Sequence, residues 1–308
     1  MKYILIAVLC LMLLFAIISY ICFRMAFYVS RRSKKDVDEF AIPEGEIYEP
    51  YRDTMIGWMK EVRKLPHKEF SIVSHDGLKL YGKYYEYKKG APIELMFHGY
   101  RGSAERDLCG GVQRCFSLER NVLIVDQRTS GKSEGNVITF GIKESKDCLL
   151  WIDLLISQFG KDVKIILTGI SMGASTVMIA SGYDLPENVI GVLADCGFSE
   201  AKKIIKKVIT QLKLPATILY PFVRLGALLF GRFNLEETSA IEAMEKCKVP
   251  VIFFHGEQDD FVPCSMSGEC FNACKSRKQF VSVKGAGHGL SYLVDPDGYI
   301  DSLKHFFK

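Results

Sequence analysis

The sequence predicts an α/β protein built on a mainly parallel, eight-stranded sheet flanked by helices. Eight short stretches rich in apolar residues recur along the chain, at residues 70–74, 78–87, 93–97, 122–125, 163–167, 189–194, 249–254 and 280–283. Continuous apolar runs of this length are typical of strands buried on both faces of a sheet. Helix-length segments separate most of the runs, and strands that alternate with helices form parallel sheets.

The first two stretches differ from the others, because only a short segment around Asp76-Gly77 separates them. Asp-Gly is a strong hairpin-turn signal, so these two strands are predicted to pair antiparallel at an edge of the sheet. Farther along the chain, residues 142–159 carry Leu149, Ile152 and Leu155 on one side of a helix, as expected of a helix that covers the sheet.

Length and composition favour one large domain, which we predict at residues 68–308. The 308-residue chain has 48% apolar and 25% charged residues, as globular proteins do, and a formal charge of +4. Both signs of charge are mixed throughout the globular part, which argues against nucleic-acid binding. The sequence carries no signal for an oligomeric state.

The amino-terminal residues 1–30 are predicted to form a transmembrane anchor. Residues 3–23 contain no charged side chain, and as a helix they would span the roughly 30 Å of a bilayer's hydrocarbon core. A cleavable secretory signal is the alternative, but its apolar region is usually about 7 to 15 residues long and precedes a small-x-small site. Ile18 to Phe23 offer no such site, so an uncleaved, single-pass anchor in the cell membrane is favoured.

Charge around this segment predicts its orientation. Only Lys2 and the amino terminus precede it, whereas a basic cluster follows it, formed by Arg24, Arg31, Arg32, Lys34 and Lys35. Positive charge is retained on the cytoplasmic side, so the globular domain is expected in the cytoplasm. Residues 31–67 then form a basic juxtamembrane and lead-in segment, in which Met55, Met59 and Val62 share one side of a short helix.

The ten cysteines do not predict a disulfide framework or a metal site. Those of the globular part lack the density and regular spacing of a disulfide scaffold. Cys264, Cys270 and Cys274 are near one another, but no histidine or second cysteine pair completes a zinc-binding pattern. We therefore predict no metal ion.

The residues after the 163–167 run have the pattern of a nucleophile elbow. Gly169-Ile170-Ser171-Met172-Gly173 reads G-x-S-x-G between a predicted strand and a predicted helix. The glycines suit a turn so tight that side chains two positions either side of the serine would collide with backbone. Ser171 is therefore the candidate nucleophile, and the alternative is a glycine-rich turn with an idle serine.

A serine needs a general base and a group that orients the base. Of six histidines, His288 lies in a glycine-rich loop just after the last predicted strand and is the candidate base. His98 and His255 each end a strand, where a structural role is expected. Asp259, in the loop after the penultimate strand, is the first choice for the acid, with Asp260 second and Asp195 third.

Acyl transfer also needs N–H donors for the developing oxyanion. Met172, directly after the serine, supplies one candidate amide. Tyr100 supplies the second, in the loop His98-Gly99-Tyr100-Arg101-Gly102-Ser103, whose glycines let backbone approach a ligand. This loop lacks the spacing of a phosphate-binding loop, so we predict no nucleotide cofactor and no cofactor of another kind.

These motifs together resemble the α/β-hydrolase superfamily, and within it bacterial single-domain esterases and prolyl-oligopeptidase-like hydrolases. The resemblance covers residues 68–308 and includes a loop similar to the family's D-x-R-G-x-G-x-S, here Asp126-Gln127-Arg128-Thr129-Ser130-Gly131-Lys132-Ser133. Thr129 replaces the usual glycine. The resemblance implies the Ser171–Asp259–His288 triad and a small helical cap at residues 199–248.

The function so implied is hydrolysis of carboxylic esters, with a small-molecule ester as substrate. Amide bonds yield to the same groups, so a peptidase acting on small peptides is the alternative enzyme. A membrane-anchored binding protein that keeps the fold without turnover is the alternative outside the enzymes. For the cap, a membrane-facing apolar side and a simple cover for the core are both open.

Overall fold

The computed structural model describes residues 1–30 and 40–308, and shows an α/β fold. The strands are β1 Lys68–Val73, β2 Lys79–Tyr85, β3 Ile93–Phe97, β4 Asn121–Asp126, β5 Ile165–Ile170, β6 Val189–Asp195, β7 Val251–Gly256 and β8 Lys278–Val283. The helices are α1 Lys2–Ala26, α2 Arg52–Lys64, α3 Ala104–Ser117, α4 Ile142–Phe159, α5 Met172–Ala180, α6 Ala201–Gln211, α7 Ala216–Leu229, α8 Ala240–Lys246, α9 Cys264–Ala273, α10 Ser291–Val294 and α11 Pro296–Phe306, and a 3-10 helix, Glu46–Tyr51, precedes α2. The basic residues Arg31, Arg32, Lys34 and Lys35 lie outside the described residues.

The eight strands form one sheet in the order β1-β2-β4-β3-β5-β6-β7-β8. β1 and β2 pair antiparallel, β2 pairs antiparallel with β4, and the remaining neighbours are parallel. Phe97 pairs with Gly169, and Gly169 with Ala194, so the loops after β3, β5 and β6 leave the sheet at one level. The predicted fold class is confirmed, including the antiparallel edge.

Each face of the sheet is covered by its own apolar cluster. On one side β-sheet residues pack with α4, α5, α8 and α9, around the fully buried Trp151. On the other side they pack with α2, α3 and α11. Met55, Met59 and Val62 of α2 are buried there, on the side of the helix that the sequence predicts.

The loop after β4 shows how the chain accommodates Thr129 where the motif that this loop resembles has glycine. Thr129 adopts φ 78°, a left-handed conformation that glycine takes without strain. Arg128 beside it is buried, and its guanidinium donates to both carboxylate oxygens of Asp147 at 2.8 Å. This bidentate ion pair holds the loop in place, so the threonine keeps the backbone path that glycine would allow.

The amino-terminal helix α1 is long and apolar enough to cross a membrane. Most of its side chains up to Ile21 are exposed, but Phe23 is buried, and so is Phe27 directly after the helix. Both belong to a third apolar cluster that also contains side chains of α6 and α7. Beyond the helix, Val29 N donates to Asn136 O at 2.9 Å. The carboxyl end of α1 is therefore built into the globular part.

Replacing Phe27 by alanine tests this integration. Phe27 is 0% exposed, and its ring lies 5.3 Å from that of Phe233 and 5.6 Å from that of Phe140. Removing a buried phenylalanine ring leaves a cavity, so Phe27→Ala should lower the free energy of unfolding by about 3–5 kcal/mol. Urea unfolding of the full chain in detergent measures the loss. Val73→Ala, at a side chain that is 65% exposed, is the control and should change stability by less than about 0.5 kcal/mol. Equal losses in both variants would contradict the assignment.

Candidate active site

Ser171 lies in the turn between β5 and α5, in a strained conformation. Its φ of 56° is left-handed, and its amide donates to Asp195 O at 2.8 Å. A Cβ atom on Gly169 would lie 2.1 Å from Gly173 O, and one on Gly173 would lie 2.0 Å from Phe97 O. Only glycine fits at either position, so the G-x-S-x-G pattern is a steric requirement of this turn.

His288 follows β8, and its imidazole bridges two other side chains. Nε2 lies 2.9 Å from Ser171 Oγ, and Nδ1 lies 2.7 Å from Asp259 Oδ2. Because a carboxylate only accepts, the proton sits on Nδ1 and the Nε2 lone pair faces the serine hydroxyl. The structure thus brings together the serine, the histidine and the first-choice carboxylate that the sequence singled out.

Asp259 is fixed by several donors. Its Oδ1 accepts from Phe261 N at 2.9 Å and from Val262 N at 2.8 Å. Its Oδ2 lies 3.2 Å from His255 Nε2, besides its bond to His288. Burial alone would raise the pKa of Asp259, but the hydrogen bonds from His255 and His288 outweigh it and lower this pKa to about 2. The side chain is therefore a carboxylate at neutral pH.

The other two candidate acids have different surroundings. Asp260 is exposed, and its backbone carbonyl accepts from Gln211. Asp195 is buried, with its carboxylate accepting from Ser291 Oγ and from Tyr299 OH, both at 3.0 Å. Burial raises the pKa of Asp195, and its partners are hydroxyls rather than an imidazole.

The loop after β3 lies against the serine. A Cβ on Gly99 would come within 3.5 Å of Ser171 Cβ, so this backbone passes directly beside the candidate nucleophile. Gly99 N donates to Asp107 Oδ2 at 3.1 Å. Gln127 N donates to His98 Nε2 at 3.1 Å, which leaves the proton on Nδ1 for Gly99 O at 2.8 Å.

The two candidate oxyanion donors lie at this point. Met172 is the first residue of α5, so its amide has no acceptor within the helix and is available to a ligand. Tyr100 follows Gly99 in the loop beside Ser171. Both amides remain the predicted oxyanion donors.

Three further contacts support the site, and the sequence predicts none of these pairings. Tyr48 OH, from the 3-10 helix ahead of the domain, donates to His288 O at 2.9 Å. Tyr100 OH donates to Ala26 O at 2.7 Å, at the end of α1. His255 was expected to be structural, and its bond to Asp259 makes it a second support for the carboxylate. The first two pair residues 74 or more apart in sequence, which no local motif signals.

One group of side chains has atoms that suit a metal ion. Cys196 Sγ, a carboxylate oxygen of Asp259 and a ring nitrogen of His288 lie within 4.8 Å of one another. The aspartate and histidine atoms are already bonded to each other, and burial raises the pKa of the Cys196 thiol well above its usual value. A neutral thiol is a poor ligand, so these residues do not fit a resident metal.

A cavity of about 760 Å³ opens beside the loop after β3. Tyr28, Arg101, Gly102 and Asp126 contribute to its walls, but Ser171 and His288 do not. The reactive groups therefore lie outside this cavity.

Comparison with solved structures identifies the fold. The chain is 22% identical to a Pyrococcus furiosus esterase, Pf2001, over 86% of its own length and 95% of that chain, with a TM-score of 0.66. A Mycobacterium tuberculosis puromycin-hydrolyzing peptidase is 15% identical, over 79% of this chain and 39% of that one, with a TM-score of 0.61. The chain has the α/β-hydrolase fold, as its motifs predict.

Comparison by sequence finds relatives below 30% identity. No protein-family model matches the chain. It is 26% identical to the uncharacterized protein YqkD of Bacillus subtilis over 187 residues, 60% of this chain and 61% of that protein, which is less than two thirds of the relative's length. It is also 28% identical to Schizosaccharomyces pombe protein bem46 over 226 residues, 72% of this chain and 69% of that protein.

The steric requirement at the serine turn is testable by adding one methyl group. Gly173→Ala would place its Cβ 2.0 Å from Phe97 O, so strand β3 or helix α5 must move, and we expect a loss of about 3 kcal/mol or more in the free energy of unfolding. Gly268→Ala, in α9, is the matched control. It meets nothing within 4 Å and should gain up to about 1 kcal/mol. A Gly173→Ala protein as stable as this control would disprove the tight turn.

The lowered pKa of Asp259 predicts an acid limb in the stability profile. The pKa of Asp259 is about 2 in the folded protein and about 4 in the unfolded chain. The ionised carboxylate therefore stabilises the fold fully above pH 4, and this stabilisation is lost as the pH falls towards 2. Between pH 5 and 2 wild type should therefore lose roughly 2–3 kcal/mol more than Asp259→Asn. Urea unfolding across that range measures it. The exposed neighbour serves as control, because Asp260→Asn should keep the wild-type acid limb. If wild type and Asp259→Asn lost the same free energy of unfolding between pH 5 and 2, the lowered pKa of Asp259 would be ruled out.

Proposed function

We propose that this chain is a membrane-anchored serine hydrolase that cleaves carboxylic esters. The observation that carries the proposal is the hydrogen-bonded series from Ser171 Oγ through His288 to Asp259, starting from a serine held at φ 56°. A histidine that is oriented by a carboxylate and hydrogen-bonded to a serine activates the serine hydroxyl, which is otherwise a weak nucleophile. The likeness to esterases of the same fold supports the choice of an acyl substrate.

In the first half of the reaction, His288 Nε2 takes the proton of Ser171 Oγ as Oγ bonds to the ester carbonyl carbon. The imidazolium so formed is stabilised by the Asp259 carboxylate through Nδ1. The carbonyl oxygen becomes an oxyanion, which the amides of Met172 and Tyr100 would bind. His288 then gives its proton to the ester oxygen, the carbon–oxygen bond breaks, and the alcohol leaves an acyl-serine.

In the second half, water replaces the alcohol. His288 takes a proton from water as the water oxygen bonds to the acyl carbon, and the oxyanion forms in the same place. The bond to Ser171 Oγ breaks, the serine recovers its proton from His288, and the carboxylic acid departs. Atoms and charges balance without a metal or organic cofactor.

The proposal includes the anchor and the cap. We assign α1 as a single membrane span with the domain on the cytoplasmic side, following the positive charges after the span. Residues 199–248, which contain α6, α7 and α8, are assigned as the cap.

A peptidase is the second candidate, because a peptide-bond substrate uses the same groups and one neighbour of the same fold hydrolyses puromycin. The two differ in the leaving group, an alcohol or an amine. A panel of matched esters and amides therefore separates them by their kcat/KM values.

The test is labelling of the full chain in detergent with a fluorophosphonate, a probe that reacts with activated serines. We expect one modified peptide, containing Ser171, and a rate reduced by about 10³-fold or more in His288→Ala. Ser171→Ala should not label. Ser157→Ala, at an exposed serine of α4, should label like wild type. Folded wild-type protein that resists the probe would instead favour a binding protein without turnover.

A further inference from the structure

The cap helix α7 packs along the carboxyl-terminal half of the candidate membrane helix α1. Phe222 of α7 stacks on Phe15 with ring centroids 5.3 Å apart. Phe230, just after α7, meets the ring of Tyr20 edge-on at 5.1 Å and lies 5.9 Å from that of Phe23. Because later residues of α7 meet later residues of α1, the two helices run in the same direction.

A glycine lets the two helices approach closely. A Cβ on Gly226 would come within 2.4 Å of Ser19 O and 3.1 Å of Phe23 Cβ. Ser19 is fully buried in this contact. Small residues at the point of closest approach are typical of helix pairs within membranes. This packing therefore fixes the position of α7 along the axis of α1.

This packing sets the depth of α7 if α1 spans a bilayer. Phe15 lies nine residues before Arg24, the first charged residue after the apolar run, which is about 13 Å along the helix axis. The hydrocarbon core is about 30 Å thick, so Phe15 lies near its middle. Phe222, stacked on Phe15, lies at the same depth. Ile218 lies one turn before Phe222 in α7, on the side of the bilayer middle away from the domain.

Beside the contact with α1, helix α7 and the segment just before it bear a row of apolar side chains, most of which are exposed. We call this set the α7 strip, and its members are Leu214, Ile218, Pro221, Leu225, Leu228 and Leu229. Ile218 is 63% exposed, Leu228 is 57% exposed and Leu229 is 52% exposed. Their spacing of three and four residues places them on one side of the helix, continuous with the exposed apolar surface of α1.

Charged residues lie on the other side of α7. Glu236 accepts a hydrogen bond from Tyr220 OH at 2.8 Å and pairs with Arg224 at 3.4 Å and Lys202 at 3.6 Å. Lys206 lies over the Tyr220 ring at 5.2 Å. Basic side chains beside an apolar helix face are typical of helices at a membrane surface, where the charges reach the lipid headgroups.

We propose that the α7 strip is immersed in the acyl chains of the bilayer, beside α1, so that the cap itself docks on the membrane. The inference rests on the proposed membrane anchor. Lipid hydrocarbon is the occupant that the surface fits, because the strip continues the face of a helix that must itself be covered by lipid. The charges around Glu236 lie on a different side of α7 from the strip, and a tilt of α1 that raises this side towards the domain brings them nearer the headgroups.

The experiment measures the surroundings of single positions in the full chain, reconstituted in phosphatidylcholine vesicles. Cys10, Cys22 and Cys264, the described cysteines that are not buried, are first replaced by serine. A bimane fluorophore is then attached to Ile218→Cys or Leu229→Cys. Vesicles with brominated acyl chains report contact with hydrocarbon, and iodide in the buffer reports contact with water.

Two further positions act as controls. Leu13→Cys reports on α1 itself, at a side chain that is 62% exposed. Lys161→Cys reports on an exposed turn just before β5, whereas Ser171 follows the other end of this strand. We expect brominated lipid to reduce the emission of both strip probes and of the Leu13 probe about twofold, and iodide to quench only the Lys161 probe.

Each departure from this pattern is decisive. Strip probes quenched by iodide, with the Leu13 probe quenched by lipid, would leave the anchor intact and overturn the docking of the cap. Strip probes shielded from both quenchers would mean that protein covers the strip, such as a second copy of this chain, and would also overturn it. A Leu13 probe unaffected by lipid would remove the anchor and this inference together. Fluorophosphonate labelling of the same sample reports on the hydrolase separately.

Discussion

The close approach of two backbone segments at the serine turn is the constraint on which the candidate site depends. At Gly173 the chain passes Phe97 O so closely that a methyl group would overlap it, and Gly169 is packed equally tightly against Gly173. This contact locks the start of α5 onto the ends of β3 and β5. It also holds Ser171 in a left-handed conformation that an unconstrained serine avoids, so the strain there is maintained by the packing of the sheet.

The same register brings the remaining groups to the serine. β5, β6, β7 and β8 are parallel neighbours, so the loops that carry Ser171, Asp259 and His288 leave the sheet at one edge. Asp259 stays ionised although it is buried, because two imidazoles and two backbone amides bond to it. A carboxylate with this many donors holds His288 in one tautomer, with its lone pair towards the serine.

Much of this arrangement could be predicted because it is local in sequence. The elbow is five consecutive residues, and the apolar runs mark buried strands directly. The runs are less reliable for strand ends: β7 extends to Gly256 and β5 to Ile170, beyond the apolar stretches, because backbone pairing continues where side chains turn polar or small. The choice of Asp259 over Asp260 rests on which carboxylate faces inward, and two adjacent aspartates in a loop differ in that respect only once the loop is folded.

Contacts made by α1 and by the segment before β1 could not be predicted in this way. Tyr48 reaches His288 O from a segment whose sequence has no regular period, and its partner is 240 residues away. Hydrogen bonds to a backbone carbonyl carry no residue-type signal at the acceptor, so neither member of such a pair indicates the other. Residues 31–39, between α1 and the 3-10 helix, lie outside the described part of the chain.

The end of α1 links the candidate membrane anchor to the candidate oxyanion loop. Met25 O and Ala26 O are among the last carbonyls of the helix, which have no partner within it. Arg101 donates to the first at 2.8 Å and Tyr100 OH to the second at 2.7 Å, and a cation at a helix carboxyl end is also favoured by the helix dipole. The helix is therefore part of the support for the loop whose amide would bind the oxyanion. A chain shortened to begin after residue 30 would lose these acceptors together with Phe23 and Phe27. Because the same removal would uncover the apolar side of α7, helix α1, helix α7 and the candidate site are best understood as one structural unit.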